Sequence, residues 1–91
     1  MAEVTGKTVA RIYPALTAMI GGHRFTRESA FVKGTAASNN DTLTVPGINP
    51  INIAILSYRN STVPVQYTIA GNVITLVNGA GRTVEGMVVG A

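Results

Sequence analysis

His23 is the single histidine of this chain, Glu3, Glu28, Asp41 and Glu85 are its only acids, and cysteine is absent. Acid–base and nucleophilic catalysis draw on groups of these kinds brought close together. The four acids are scattered with no short spacing, so no paired-carboxylate pattern stands out. One imidazole does not build a metal site within a monomer, because structural sites take about four ligands. A trimer axis could gather three copies of it, but a loop histidine beside Gly22 is the simpler reading. Gly6-Lys7-Thr8 ends like a phosphate-binding loop, yet the glycine required five residues earlier is Met1, and no strand precedes it. That segment reads as a flexible basic N-terminus. No catalytic residue, cofactor site or metal site is assigned, and enzyme activity is not expected.

The bases are better placed to bind than to catalyse. Lys7, Arg11, Arg24, Arg27 and Lys33 all lie in the first third, against Glu3 and Glu28, while Arg59 and Arg82 balance Asp41 and Glu85 in the remainder. The formal net charge of +3 therefore belongs to the front of the chain. From His23 to Lys33 the bases interleave with Phe25 and Phe31, a mixture that can hold phosphates on Arg and Lys and stack bases on Phe. The Ala30-Phe31-Val32 core weakly echoes an RNA-recognition strand but lacks the glycine and flanking aromatics of that motif. If Arg27 and Lys33 face solvent, Phe25 and Phe31 belong to the core, so nucleic-acid binding is the disfavoured reading. Carbohydrate binding is weaker still, with no Trp and only three Tyr and two Phe to stack on sugars.

The elements that must carry these residues are mostly strands. Charged residues make up 12% of the chain and hydrophobic ones 46%, against a typical charged share of roughly 25%. Such a composition is globular rather than disordered. Val, Ile and Thr are abundant, and β-branched side chains suit a pleated surface. Ninety-one residues make one domain. A domain this small buries only about 60% of its unfolded surface and is modestly stable alone. Without disulfides, which cysteine-free chains cannot form, oligomerisation is the usual support. The absence of cysteine also fits synthesis in a reducing cytoplasm. No apolar stretch approaches the about 20 residues of a spanning helix, and Ile12–Ile20 is interrupted by Pro14. No membrane association is expected. A secretory signal fits poorly, with Glu3 in its n-region and Pro14 in its apolar core, so the N-terminus reads as the mature one.

Residues 1–22 read as an N-terminal arm or edge segment, and residues 23–91 as the β-domain. Thr8–Tyr13 has strand character. Pro14–Ile20 fits a short helix stopped by Gly21-Gly22, and an extended arm that orders against a partner fits equally. Ser29–Lys33 is a strand ended by Gly34, and Ala36–Asp41 is a turn-rich loop. Thr42–Val45 alternates. Ile51–Tyr58 is the best central strand, with Ile51, Ile53 and Ile55 on one face and Ala54, Leu56 and Tyr58 on the other; a strand apolar on both faces is usually covered on both. Val63–Ile69 and Val73–Val77 form a hairpin about Gly71-Asn72, and Arg82–Val89 is the last strand. The expected fold is all-β, a small antiparallel β-sandwich or barrel of five to seven short strands, with no helix longer than two turns. Ile53, Ile55, Tyr67, Ile69, Ile74 and Leu76 are the expected core. Between Asp41 and Arg82 the only charge is Arg59. A sheet with so little charge lacks the usual guards against edge-to-edge pairing and calls for a partner.

The segments Asp41-Thr42-Leu43-Thr44-Val45-Pro46-Gly47-Ile48, Ile53-Ala54-Ile55-Leu56-Ser57-Tyr58 and Val63 to Leu76, closed by Val88-Val89-Gly90, give about half the chain a cadence that resembles small β-rich bacteriophage virion proteins. The resemblance implies a non-enzymatic structural role located in the virion. That role is a capsid decoration (cement) protein that binds where capsid subunits meet, or a head-fibre or tail component. It implies the major capsid protein or another virion protein as partner, and self-association, commonly as a homotrimer. It transfers no functional residues. The candidate partner-binding residues, chosen as bases and apolar groups in the front of the chain that together suit docking, are Lys7, Arg11, Ile12, Tyr13, Arg24, Arg27 and Lys33. A small β-barrel nucleic-acid binder using Arg24–Lys33 is the alternative.

Overall fold

A computed structural model describes residues 2–91; the side chains at positions 14, 16, 18, 20 and 25 lie outside that description. The chain is all-β. Its strands are β1 (Thr5–Ile20), β2 (His23–Ala36), β3 (Asp41–Thr44), β4 (Ile51–Tyr58), β5 (Tyr67–Ala70), β6 (Val73–Leu76) and β7 (Arg82–Gly90). They form two antiparallel sheets, one ordered β1-β2-β7-β4 and one ordered β3-β6-β5, which pack as a small sandwich.

The core is the set of alternate residues that face between the sheets. Ala30, Val32 and Ala36 of β2 and Val84 and Val88 of β7 come from one side, and Leu43, Ile74 and Leu76 from the other. Val45 and Ile48 close one end from the loop after β3, and Tyr58 closes the other. Gly34 lies inside β2 instead of ending it, because Val4 packs where a side chain at that position would stand. The two turns that hold the hairpins tight need positive φ. Gly21 (57°) and Gly22 (81°) both have it at the β1–β2 tip, as a type I′ turn requires, and Gly71 (60°) has it at the first position of the β5–β6 turn.

Three expectations are corrected. Pro14–Ile20 forms no helix; β1 runs unbroken to Ile20 and pairs with β2 as far as Ile20↔His23. Seven residues are too few to sustain a helix alone, whereas β2 offers a ladder. The register shift between Ile12 and Leu16 lets the ladder pass Pro14, which has no N–H to give it. Next, Ile53 and Ile55 are not core. A register shift between Ile51 and Ile53 rephases β4, so that Ile51 and then Ala54, Leu56 and Tyr58 point inward while Ile53 and Ile55 stand 55% and 62% exposed. One extra residue in a strand moves every later side chain to the other face. Last, the strand expected from Val63 begins only at Tyr67, which is exposed, and Ile69 is half-buried. Pro64 cannot join a ladder, and Asn78 replaces one: its side chain accepts from Gln66 N (3.1 Å) and donates to the Pro64 carbonyl (3.1 Å). Ile74 and Leu76 are fully buried as expected.

β2 is paired on both sides only from Glu28 onward, where β7 begins to run beside it. Residues 12–27 therefore leave the sandwich as a two-stranded ribbon with Gly21-Gly22 at its tip. The ribbon accounts for the elongated shape, 46 × 24 × 20 Å.

Candidate functional site

Two surfaces have the character of binding sites, the ribbon and the outer face of the four-stranded sheet. Antiparallel partners share a face. On the ribbon, Met19 pairs with Arg24 and Thr17 with Thr26, so an apolar side chain and a base stand together. Met19 is 64% exposed and Tyr13 74% exposed. Arg24 and Arg27 are exposed as well, and Arg27 reaches only the Thr26 carbonyl, at 3.1 Å. Ile12 is half-buried at the foot of the ribbon.

The other candidate bases belong to the body. Arg11 is half-buried and paired with Glu28; its guanidinium lies over the Tyr13 ring at 5.7 Å and fills the space beside Gly47. The pair cross-links β1 and β2 at the ribbon's root, and the packing of Arg11 beside Gly47 holds that root against the loop after β3. Lys7 Nζ donates to the Thr44 carbonyl at 3.2 Å, which ties β1 to the other sheet. Lys33 is exposed on the outer face of β2, directly opposite Glu85. The seven residues do not form one patch. Tyr13, Arg24 and Arg27 lie on the ribbon, Arg24 and Arg27 on opposite faces of it, with Ile12 and Arg11 at its root and Arg11 against Tyr13, while Lys7 and Lys33 stand apart. Residue Phe25 lies outside the described side chains.

The outer face of the four-stranded sheet is built in rows. One row runs Ala10, Phe31, Met87, Ile55, and the next toward the Thr5 end runs Thr8, Lys33, Glu85, Ser57. Phe31 is 58% exposed, which corrects its placement in the core. Phe31, Met87 and Ile55 line an open depression of about 500 Å³ together with Glu85 and Ser57. Gly86 lets β7 lie close to β4: a Cβ there would strike the Ile55 carbonyl oxygen. Sequence reasoning assigned this face to the interior. Its signal was nonetheless present in the apolar residues on both faces of Ile51–Tyr58.

Among the described residues two titrating groups, Asp41 and Tyr58, are perturbed, and both serve the fold. Hydrogen bonds from the Ala2, Ser38 and Ala37 amides hold the Asp41 carboxyl below its ordinary range. Burial pushes the Tyr58 hydroxyl up, partly opposed by Arg82, whose guanidinium stacks 5.5 Å from the ring centroid. Tyr58 donates to Asn78 Oδ1, and Arg82 donates to Asn78 O (3.2 Å) and Ser61 Oγ (3.3 Å). This cluster pins the loop between β4 and β5. Among the described residues no three His, Asp or Glu side chains come together as a metal-ligand set.

Comparison with family models, with curated proteins and with solved structures returns no match to this chain.

Proposed function

We propose that this chain is a non-enzymatic structural protein of a larger assembly, a capsid decoration protein of the bacteriophage type, and that it docks through the ribbon at residues 12–27. The observation that carries this reading is that ribbon. It leaves the sandwich and exposes Tyr13, Met19, Arg24 and Arg27, with Met19 paired to Arg24 on one face. A ribbon of this kind suits a partly apolar, acidic groove, where its side chains bury area and its free edges can extend a neighbouring sheet. A protein that binds only the assembled shell stabilises that shell by mass action, so many copies of modest affinity suffice. The virion setting, with the major capsid protein as partner, rests on the cadence shared with small virion proteins. A tail or head-fibre position uses the same docking chemistry, and electron microscopy of particles carrying or lacking the chain distinguishes these sites.

Replacing residues 14–25 by Asn-Gly tests the ribbon. The shortened protein is expected to melt cooperatively near the parent temperature and to be lost from particles. Undiminished incorporation would sink the docking role. A second reading, nucleic-acid binding, is favoured by one feature: a two-stranded ribbon fits the major groove, and this one carries Arg24 and Arg27. Affinity for duplex DNA falling steeply between 50 and 200 mM salt, on the order of 10-fold or more for even a few phosphate contacts, would favour it. Particle binding that persists in high salt favours the capsid reading.

A further inference from the structure

We infer that the outer face of the four-stranded sheet binds a second copy of this chain about a two-fold axis that runs parallel to the strands between β2 and β7. The face is too apolar for a solvated sheet, since Phe31, Ile53 and Ile55 are each more than half exposed on it. What selects a second copy as its occupant is the complementarity of the face with itself. The strand order β1-β2-β7-β4 is reversed by such an axis, so β2 lies over the partner's β7 and β1 over the partner's β4. Residues of one row then meet residues of the same row. Lys33 meets the partner's Glu85, and Glu85 meets the partner's Lys33. Phe31 meets the partner's Met87, and the small Ala10 receives the partner's large Ile55. Lys33 and Glu85 are register neighbours across the sheet, and the axis gives each a partner of opposite charge across the interface.

The competing two-fold, perpendicular to the strands through the Phe31 row, sets Lys33 over Ser29 and Glu85 over Val89 and leaves both charges facing groups that do not answer them. The parallel axis keeps the two sheets within the about 30° of aligned packing. Four strands about 4.8 Å apart and about nine residues long at roughly 3.3 Å each give a face of about 19 by 30 Å. Side-chain relief brings that toward the about 800 Å² per partner of a standard interface. The pairing is independent of what the ribbon docks onto, and it assigns a two-fold where the sequence resemblance implies a three-fold.

Sedimentation equilibrium of the full chain at micromolar concentration tests it. The parent protein is expected to be a dimer. I55K is expected to keep its circular dichroism and to weaken the dimer at least 100-fold. K33E and E85K are each expected to weaken self-association about 10-fold and, mixed in equal amounts, to form a mixed dimer as tight as the parent. That recovery does not depend on I55K folding. A parent protein that is monomeric or trimeric, a dimer unmoved by I55K, or a mixture that fails to recover would each overturn the inference. Particle binding by the ribbon is read separately, so failure of one does not imply failure of the other.

Discussion

Three backbone amides converge on the Asp41 carboxylate, those of Ala2 at 3.1 Å, Ala37 at 2.9 Å and Ser38 at 3.1 Å. They favour the charged form, so the folded protein holds this proton more weakly than the unfolded chain does. The stabilisation is complete well above the unfolded carboxylate value of about 3.9 and is lost as pH falls through the lower folded value. Acid titration of the unfolding midpoint is therefore expected to fall below about pH 4 in the parent protein. In D41N the midpoint starts lower and varies less over the same window. A parallel acid profile in the variant would mean that other groups carry the transition. Gly86 makes a second residue-scale prediction. A methyl group there meets the Ile55 carbonyl, which is backbone and cannot swing aside. G86A is expected to destabilise by about 1–3 kcal/mol, as overpacking does, measured by urea titration; an unchanged midpoint would show that the two strands can part freely.

At the scale of elements, the turns and the alternating strands were legible, and the phasing was not. Leu43, Ile74 and Leu76 sit in short alternating strands bounded by turn residues, and their burial follows from that pattern. Gly71-Asn72 likewise specified its hairpin. β4 shows why the rest was hidden. Its apolar residues occupy both faces, so local pattern could not say which would be covered, and the shift beside Asn52 reversed the choice. Pro14 misled in the opposite way, since proline at the start of an apolar run suits a helix's first turn as well as a gap in a ladder. The candidate site was legible only as a set of candidates: the bases of the front, with Ile12 and Tyr13, stood out by type, but nothing in their spacing separated Arg11, held by Glu28, from the exposed Arg24 and Arg27. If the ion pair at the ribbon's root fixes its direction, E28Q should cost about 1–3 kcal/mol of stability, because the half-buried Arg11 loses its charged partner, and should reduce particle binding at temperatures where the variant is still fully folded. Equal binding by E28Q would show that the root needs no such fastening.

The whole molecule is a sandwich with one strand that changes character along its length. From Glu28 to Ala36, β2 is laced between two neighbours; from His23 to Arg27 it has only β1. Amide hydrogen exchange reads that difference directly, because local opening frees weakly embedded amides and global unfolding frees the rest. Deuterium is expected to enter residues 13–27 within the shortest labelling times and to enter the β2–β7 ladder only at rates set by unfolding. Uniform protection along β2 would contradict the described boundary. Occupation of the ribbon by a partner would then appear as slowed labelling confined to its tip, while association through the outer face would leave the tip fast and slow the edges of the sheet. A single strand thus carries its own time axis, with the fast end reporting what the protein has grasped and the slow end reporting whether it is still folded.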